Sequence, residues 1–141
     1  MITVKATREG LAGGKTSTGY RIDSIVRFVA LPAAAAQRQW IRLCNPANGK
    51  TCTALVLDVG PWNENDNAYV FQDLTNPKYT LNGLDGIPAI PPATAGVRPQ
   101  AESGVDTFKR VTNHAGIDLG EAVWAALEMG GNTDVSWEFL G

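Results

Sequence analysis

Two aspartates stand where a carboxyl group can work. Asp58 closes the apolar run Ala54-Leu55-Val56-Leu57 and leads into Val59-Gly60-Pro61-Trp62, which sets the acid at a strand end beside an indole. Burial against such neighbours raises a carboxyl pKa and can keep the group protonated as a general acid. The same residue also suits an Asx-type structural role, accepting backbone N–H groups of the turn. Asp118 lies in Gly116-Ile117-Asp118-Leu119-Gly120-Glu121. Glu three positions after Asp is a capping-box pattern at a helix start, while a carboxyl at a strand-to-helix junction is equally well placed to meet a ligand. Asp58 and Asp118 are therefore the candidate catalytic pair.

Trp62 offers a flat apolar face and an N–H, which suit the C–H face and hydroxyls of a pyranose ring; plugging the end of a barrel is the alternative use. Asn63, Tyr69 and the single histidine, His114, complete the candidate substrate contacts, although a lone loop histidine is also simply a solvated side chain. Trp124 and Trp137 sit on apolar faces and read as core, and Trp40 fits either role. The run Asn63-Glu64-Asn65-Asp66-Asn67 has hard oxygen atoms at alternating positions but lacks the glycine and the terminal glutamate of a calcium loop. No metal and no cofactor is expected, and no Ser/His/Asp or Cys/His triad stands out. Cys44 and Cys52 flank an Asn48-Gly49 turn that would bring them together across a hairpin. A disulfide is the expectation, with a pair of packed thiols as the alternative.

These residues need elements to hold them. Residues 2–7 alternate apolar and polar and predict a strand, followed by a glycine-rich loop. Apolar residues from Tyr20 to Leu31 predict a second extended region ended by Pro32, and Ala33–Ala36 predicts a turn. Trp40–Cys44 and Cys52–Asp58 predict a hairpin about Asn48-Gly49. Residues 63–115 are polar and punctuated by proline and glycine, which predicts a long insertion over one end of the fold. Asp118–Met129 predicts a helix with Leu119, Val123, Trp124 and Leu127 on one face, stopped by Gly130-Gly131. Asp134–Leu140 alternates again and predicts a closing strand.

The 141 residues fit one domain, residues 1–141, with 44% hydrophobic and 18% charged residues. A net charge of −2 and a pI near 5.3 supply no basic surface for a nucleic acid backbone. The longest apolar stretch, Ile25–Ala36, is broken by Arg27 and Pro32 and is too short for a membrane span. The beginning Met1-Ile2-Thr3-Val4-Lys5 reads as a strand and not as a secretory signal.

Two stretches together carry a resemblance. Leu43-Cys44-Asn45-Pro46-Ala47-Asn48-Gly49-Lys50-Thr51 runs into Leu57-Asp58-Val59-Gly60-Pro61-Trp62, and Gly116-Ile117-Asp118-Leu119 follows later, before an alanine-rich helix. They resemble the double-psi barrel of rare lipoprotein A, with its hairpin, its D-R-G-P turn and its I-D-L-S segment, a barrel shared by expansins, barwin-like domains and a lytic transglycosylase. Val59 and Gly120 stand where that pattern has arginine and serine. The resemblance implies an all-β, six-stranded double-psi barrel with one short helix and a loop insertion at about 63–115. It implies a monomer in the cell envelope, periplasm or extracellular space whose partner is polysaccharide. Asp118 and Asp58 would then cleave peptidoglycan or a related wall glycan by carboxylate acid catalysis. An expansin-like module that binds glycan without cutting it and a scaffold that docks protein through the insertion are the alternatives.

Overall fold

The structure, a computed structural model, describes residues 1–9, 14–61, 65–73, 96–103 and 114–141. Six strands carry the fold: β1 (Ile2–Arg8), β2 (Phe28–Leu31), β3 (Trp40–Cys44), β4 (Thr51–Val59), β5 (Ile117–Leu119) and β6 (Asp134–Phe139). They close into a barrel in the order β1-β5-β2-β4-β3-β6. β1 with β5 and β2 with β4 pair in parallel, and the other four pairs are antiparallel. A strand reaches a parallel neighbour only by a crossover, so β2 reaches β4 by way of β3, and β1 reaches β5 only through the strands between them. This is the expected all-β, six-stranded double-psi barrel. It carries two short helices among the described residues, α1 (Asn67–Val70) and α2 (Glu121–Ala126), where one was expected.

The alternation read along the strands decides which side chains fill the interior. Val4, Ala6, Val29, Leu31, Ile117 and Leu119 point inward and pack with Ile41, Leu43, Val56 and Trp137. A small barrel has just enough room for such side chains. α2 lays Val123 on this core, and Leu127 follows it inward. Trp137 is buried as expected, and Trp124 is partly buried with the Arg8 guanidinium 5.5 Å above its ring.

Three local expectations are corrected. Tyr20–Arg27 is not extended pairing strand: the Asp23 carboxylate accepts the N–H groups of Ile25 and Val26 at 2.9 and 3.1 Å, which bends the chain, and β2 begins only at Phe28. The helix does not start at Asp118. Ile117–Leu119 pair as β5, and Gly120 takes the N-cap position without any side-chain cap, so the capping-box reading of Asp118 fails. Gly120 must be small, because a Cβ there would stand 2.5 Å from the Phe28 ring. The cysteines are both free. The hairpin forms as predicted, with Gly49 at φ 75°, but its register pairs Leu43 with Cys52 and Cys44 with Thr51. Successive side chains on a strand alternate faces, so Cys52 faces the core and Cys44 faces away, and the two thiols cannot meet.

The described flanks of the 63–115 segment belong to the packed barrel. Ala68, Tyr69 and Val70 of α1 are buried together with Val97. The Gln72 amide joins the two flanks, donating to the carbonyls of Tyr69 and Val97 at 2.6 and 3.0 Å while accepting the Val97 N–H at 2.9 Å.

Candidate functional site

Register brings the two aspartates to one place. Ala30 of β2 pairs with Asp58 of β4 on one side and with Asp118 of β5 on the other. Thr7 of β1 is the partner of Asp118 in turn. Thr7, Asp118, Ala30 and Asp58 thus form a row across four strands. Their neighbours Ala6, Leu119, Val29 and Leu31 belong to the interior, so alternation sets the row on the outer face of the wall. Between Val29 and Ala30 the β2–β4 register shifts, skipping Leu57. Such a bulge re-aims the side chains beyond it; without it Asp58 would share the inward direction of Val56. Glu9, two residues after Thr7, continues the same face from the end of β1, with its N–H on the Leu119 carbonyl at 2.8 Å.

The polar contacts of this row are specific. The Thr7 hydroxyl donates to the Asp118 carboxylate. Asp58 Oδ1 accepts the N–H groups of Ser17 and Val59, each at 2.9 Å. Asp58 does accept backbone N–H groups, but not from the Gly60-Pro61 turn as expected: the donors are its own neighbour and a distant loop, and the Gly60 N–H goes to the Leu31 carbonyl at 3.1 Å. That loop is held against the Asp58 end of the row by the Thr18 hydroxyl on the Leu57 carbonyl at 2.7 Å and by the Ser17 hydroxyl on Gln37 Oε1 at 2.7 Å. The ring of Tyr20 meets Phe28 edge-on at 5.4 Å.

Three half-buried carboxyl groups so close cannot all ionise. Burial first, then a hydrogen bond to Asp58 and the charges of Asp58 and Asp118, push Glu9 up to about 9. Among the described residues no donor faces its buried Oε2, an arrangement suited to a protonated acid. Burial pushes Asp118 up to about 6 against the opposing Thr7 hydrogen bond, and the Asp58 charge adds to the rise. Burial acts upward on Asp58 too, but hydrogen bonds from Glu9 and from the Ser17 and Val59 N–H groups outweigh it and hold Asp58 below the ordinary range. Near pH 6 the row therefore holds a neutral Glu9, an ionised Asp58 and an Asp118 that is about half protonated. Groups whose surroundings drive their pKa values apart are suited to divided acid and base roles.

The remaining candidates do not join the row. Trp62 and Asn63 lie outside the described residues. Tyr69 is fully buried: its hydroxyl donates to the Gly116 carbonyl at 2.9 Å and accepts Trp137 Nε1–H at 2.8 Å, so it braces the core and touches no substrate. His114 is exposed at φ 66°, and the chain after it enters the sheet beside Lys5, whose carbonyl accepts the Gly116 N–H at 2.9 Å. His114 thus lies ahead of β5 and outside the strand that carries Asp118. Glu9 and Thr7 went unnoticed in the sequence. The available signal was their shared parity: both fall on the polar face of β1, opposite Val4 and Ala6. Among the described residues no group of three His, Cys, Asp or Glu side chains has a geometry that would hold a metal ion, and no helix is long and apolar enough to cross a membrane.

Barrel and row together define a closed six-stranded β-barrel protein with an acidic row on its outer wall. The chain belongs to the family described as Domain of unknown function (DUF8814), which matches residues 1–138. No curated protein matches it. Among solved structures it is similar to the Streptomyces papain inhibitor (SPI), at 18% identity over 99% of this chain and 94% of that one, with a TM-score of 0.48.

Proposed function

We propose that this barrel acts on polysaccharide in the cell envelope or outside the cell and cleaves peptidoglycan or a related wall glycan. Asp118 is the acid and Asp58 the permanent carboxylate. The observation that carries the reading is the shared partner Ala30, which sets the two acids on adjacent sides of one strand. Two inter-strand spacings put their Cα atoms about 10 Å apart, leaving room for a sugar ring at the row. Asp118 gives its proton to the glycosidic oxygen and the C–O bond breaks. The charge of Asp58 stabilises the oxocarbenium-like centre. A hydroxyl of the same sugar then closes on the anomeric carbon and returns its proton to Asp118, leaving an anhydro ring. Glu9 acts through Asp58: as a neutral donor it keeps that carboxylate ionised and oriented.

The test is digestion of purified peptidoglycan and of cellulose, with mass spectrometry of the soluble products. Anhydro-muropeptides that fall at least about 100-fold in Asp118→Asn support the proposal. Cosedimentation with the polymer and no products would show a module that holds glycan without cutting it. Neither binding nor products would rule out polysaccharide as the partner.

A further inference from the structure

At the end of the barrel where β3 begins and β6 ends, an open groove of about 410 Å³ is lined by Arg38, Gln39, Trp40, Phe139, Leu140 and Gly141. Trp40 is 54% exposed and Leu140 43%. The floor is braced and not loose. Phe139 stacks on Phe71 at 5.5 Å with the planes 9° apart, and meets Trp137 edge-on at 5.2 Å. The Leu140 N–H is tied to the Trp40 carbonyl at 3.1 Å. A large indole left in water on a fixed aromatic floor is a flat stacking platform.

Two observations say what would sit there. Arg38, at the lip, holds the left-handed conformation at φ 68°, with its N–H on the Val56 carbonyl at 2.6 Å. That region is unfavourable for any residue with a Cβ, and such outliers gather at binding sites. Among the described residues its guanidinium has no ion pair and no hydrogen bond, while Arg42, four residues on, is paired with Glu138 at 3.5 Å. An unpaired fork of donors beside an exposed ring fits an occupant with one apolar face and one carboxylate. The second observation is continuity. Gln37 precedes Arg38 and accepts the Ser17 hydroxyl, and the Ser17 N–H is on Asp58. Asp58, the last residue but one of β4, lies toward the end of the barrel where Trp40, the partner of Leu55, begins β3. Three residues of strand rise, about 10 Å, separate the two levels. A polymer lying across the acidic row would run on into the groove.

We propose that this groove is a second subsite, in which Trp40 stacks on a sugar ring and Arg38 pairs with a carboxylate on that sugar. The proposal rests on the glycan reading of the acidic row but reads binding, not cleavage. Titration calorimetry with the tetramer of galacturonic acid and the neutral tetramer of N-acetylglucosamine tests it. It is run on the wild type and on an Asp58→Asn/Asp118→Asn background that removes any turnover. The acidic tetramer binds about fivefold more tightly than the neutral one at low salt, and the difference shrinks as salt rises. Trp40→Ala weakens both by about tenfold. Arg38→Gly abolishes the preference for the acidic tetramer without lowering Tm, because glycine relieves the left-handed conformation; a merely structural arginine would give the opposite pair of results. Binding in both backgrounds with no digestion products from the wild type leaves the subsite standing and removes the catalytic reading. No binding of either tetramer, binding indifferent to Trp40→Ala, or a dimer of the chain that Trp40→Ala dissolves would overturn the subsite.

Discussion

Two regions of the molecule hold carboxylic acids pushed toward neutrality, and they do so for different reasons. Asp66, beside α1, is 0% exposed. Its N–H is on the Pro32 carbonyl at 2.7 Å, and its Oδ2 accepts the Gln100 N–H at 2.8 Å. Burial pushes it up to about 7, against the hydrogen bonds from the Gln100 and Tyr69 backbones. It fastens the flanks of the 63–115 segment to the barrel, and no ligand can reach it. Asp118 is pushed up to about 6, but it is half-buried and stands in a row with Glu9, Asp58 and Thr7 on the outer wall. A raised pKa by itself marks either a structural staple or a working acid. Partial exposure and the company of a second, oppositely shifted carboxyl group separate the two.

That contrast breaks most visibly in catalysis. Asp118→Asn should abolish glycan cleavage, by about 100-fold or more, whereas Asp66→Asn leaves the rate per folded molecule unchanged; equal losses in the two variants would erase the distinction. For the wild type the rate should fall as pH rises through about 6, when Asp118 loses its proton.

Stability against pH sharpens the comparison next. An acid whose pKa is higher in the folded than in the unfolded chain opposes folding once it ionises. The cost sets in as pH rises above the ordinary value near 4 and is complete above the folded pKa. For Asp66 the interval runs from about 4 to about 7 and is worth about 4 kcal/mol; for Asp118 it runs to about 6 and is worth about 3 kcal/mol. Denaturation in urea at pH 4.5 and pH 8 should therefore show a marked loss at the higher pH. Asp66→Asn should flatten that loss more than Asp118→Asn does.

Tyr69→Phe leaves the Gly116 carbonyl and Trp137 Nε1 without their partner and should cost about 2–3 kcal/mol of stability, read from the urea midpoint. Glycan binding by the folded protein stays as it was, which separates this buried tyrosine from the outer row. The smallest effect is expected at the thiols: dithiothreitol should leave Tm within about 1 °C, since Cys44 and Cys52 face opposite sides of the hairpin.

Much of this architecture was legible in residue order. Alternation in residues 2–7, the Asn48-Gly49 turn and the pattern at Val135, Trp137 and Phe139 depend on local chemistry, and their strands form where expected. What local chemistry could not show was register. Pairing Cys52 with Leu43 and not with Cys44, and the bulge that skips Leu57, are decided by how the barrel closes. Both change which face a side chain takes. The capping-box pattern at Asp118 misled because Ile117 and Leu119 gain more by pairing with β1 and β2 than they would in a helical turn. Asp58 and Asp118 were identifiable by their settings at element ends. Glu9 was not, because its role exists only once β1 and β5 lie side by side.

The central claim is a division of protonation among Glu9, Asp58 and Asp118, and carboxyl-carbon NMR titration of the labelled protein measures it directly. Glu9 should titrate near 9 and Asp118 near 6, with Asp58 below the ordinary aspartate range, and Asp58→Asn should lower the midpoints of both others. Three midpoints clustered near 4, each indifferent to loss of the others, would contradict the account.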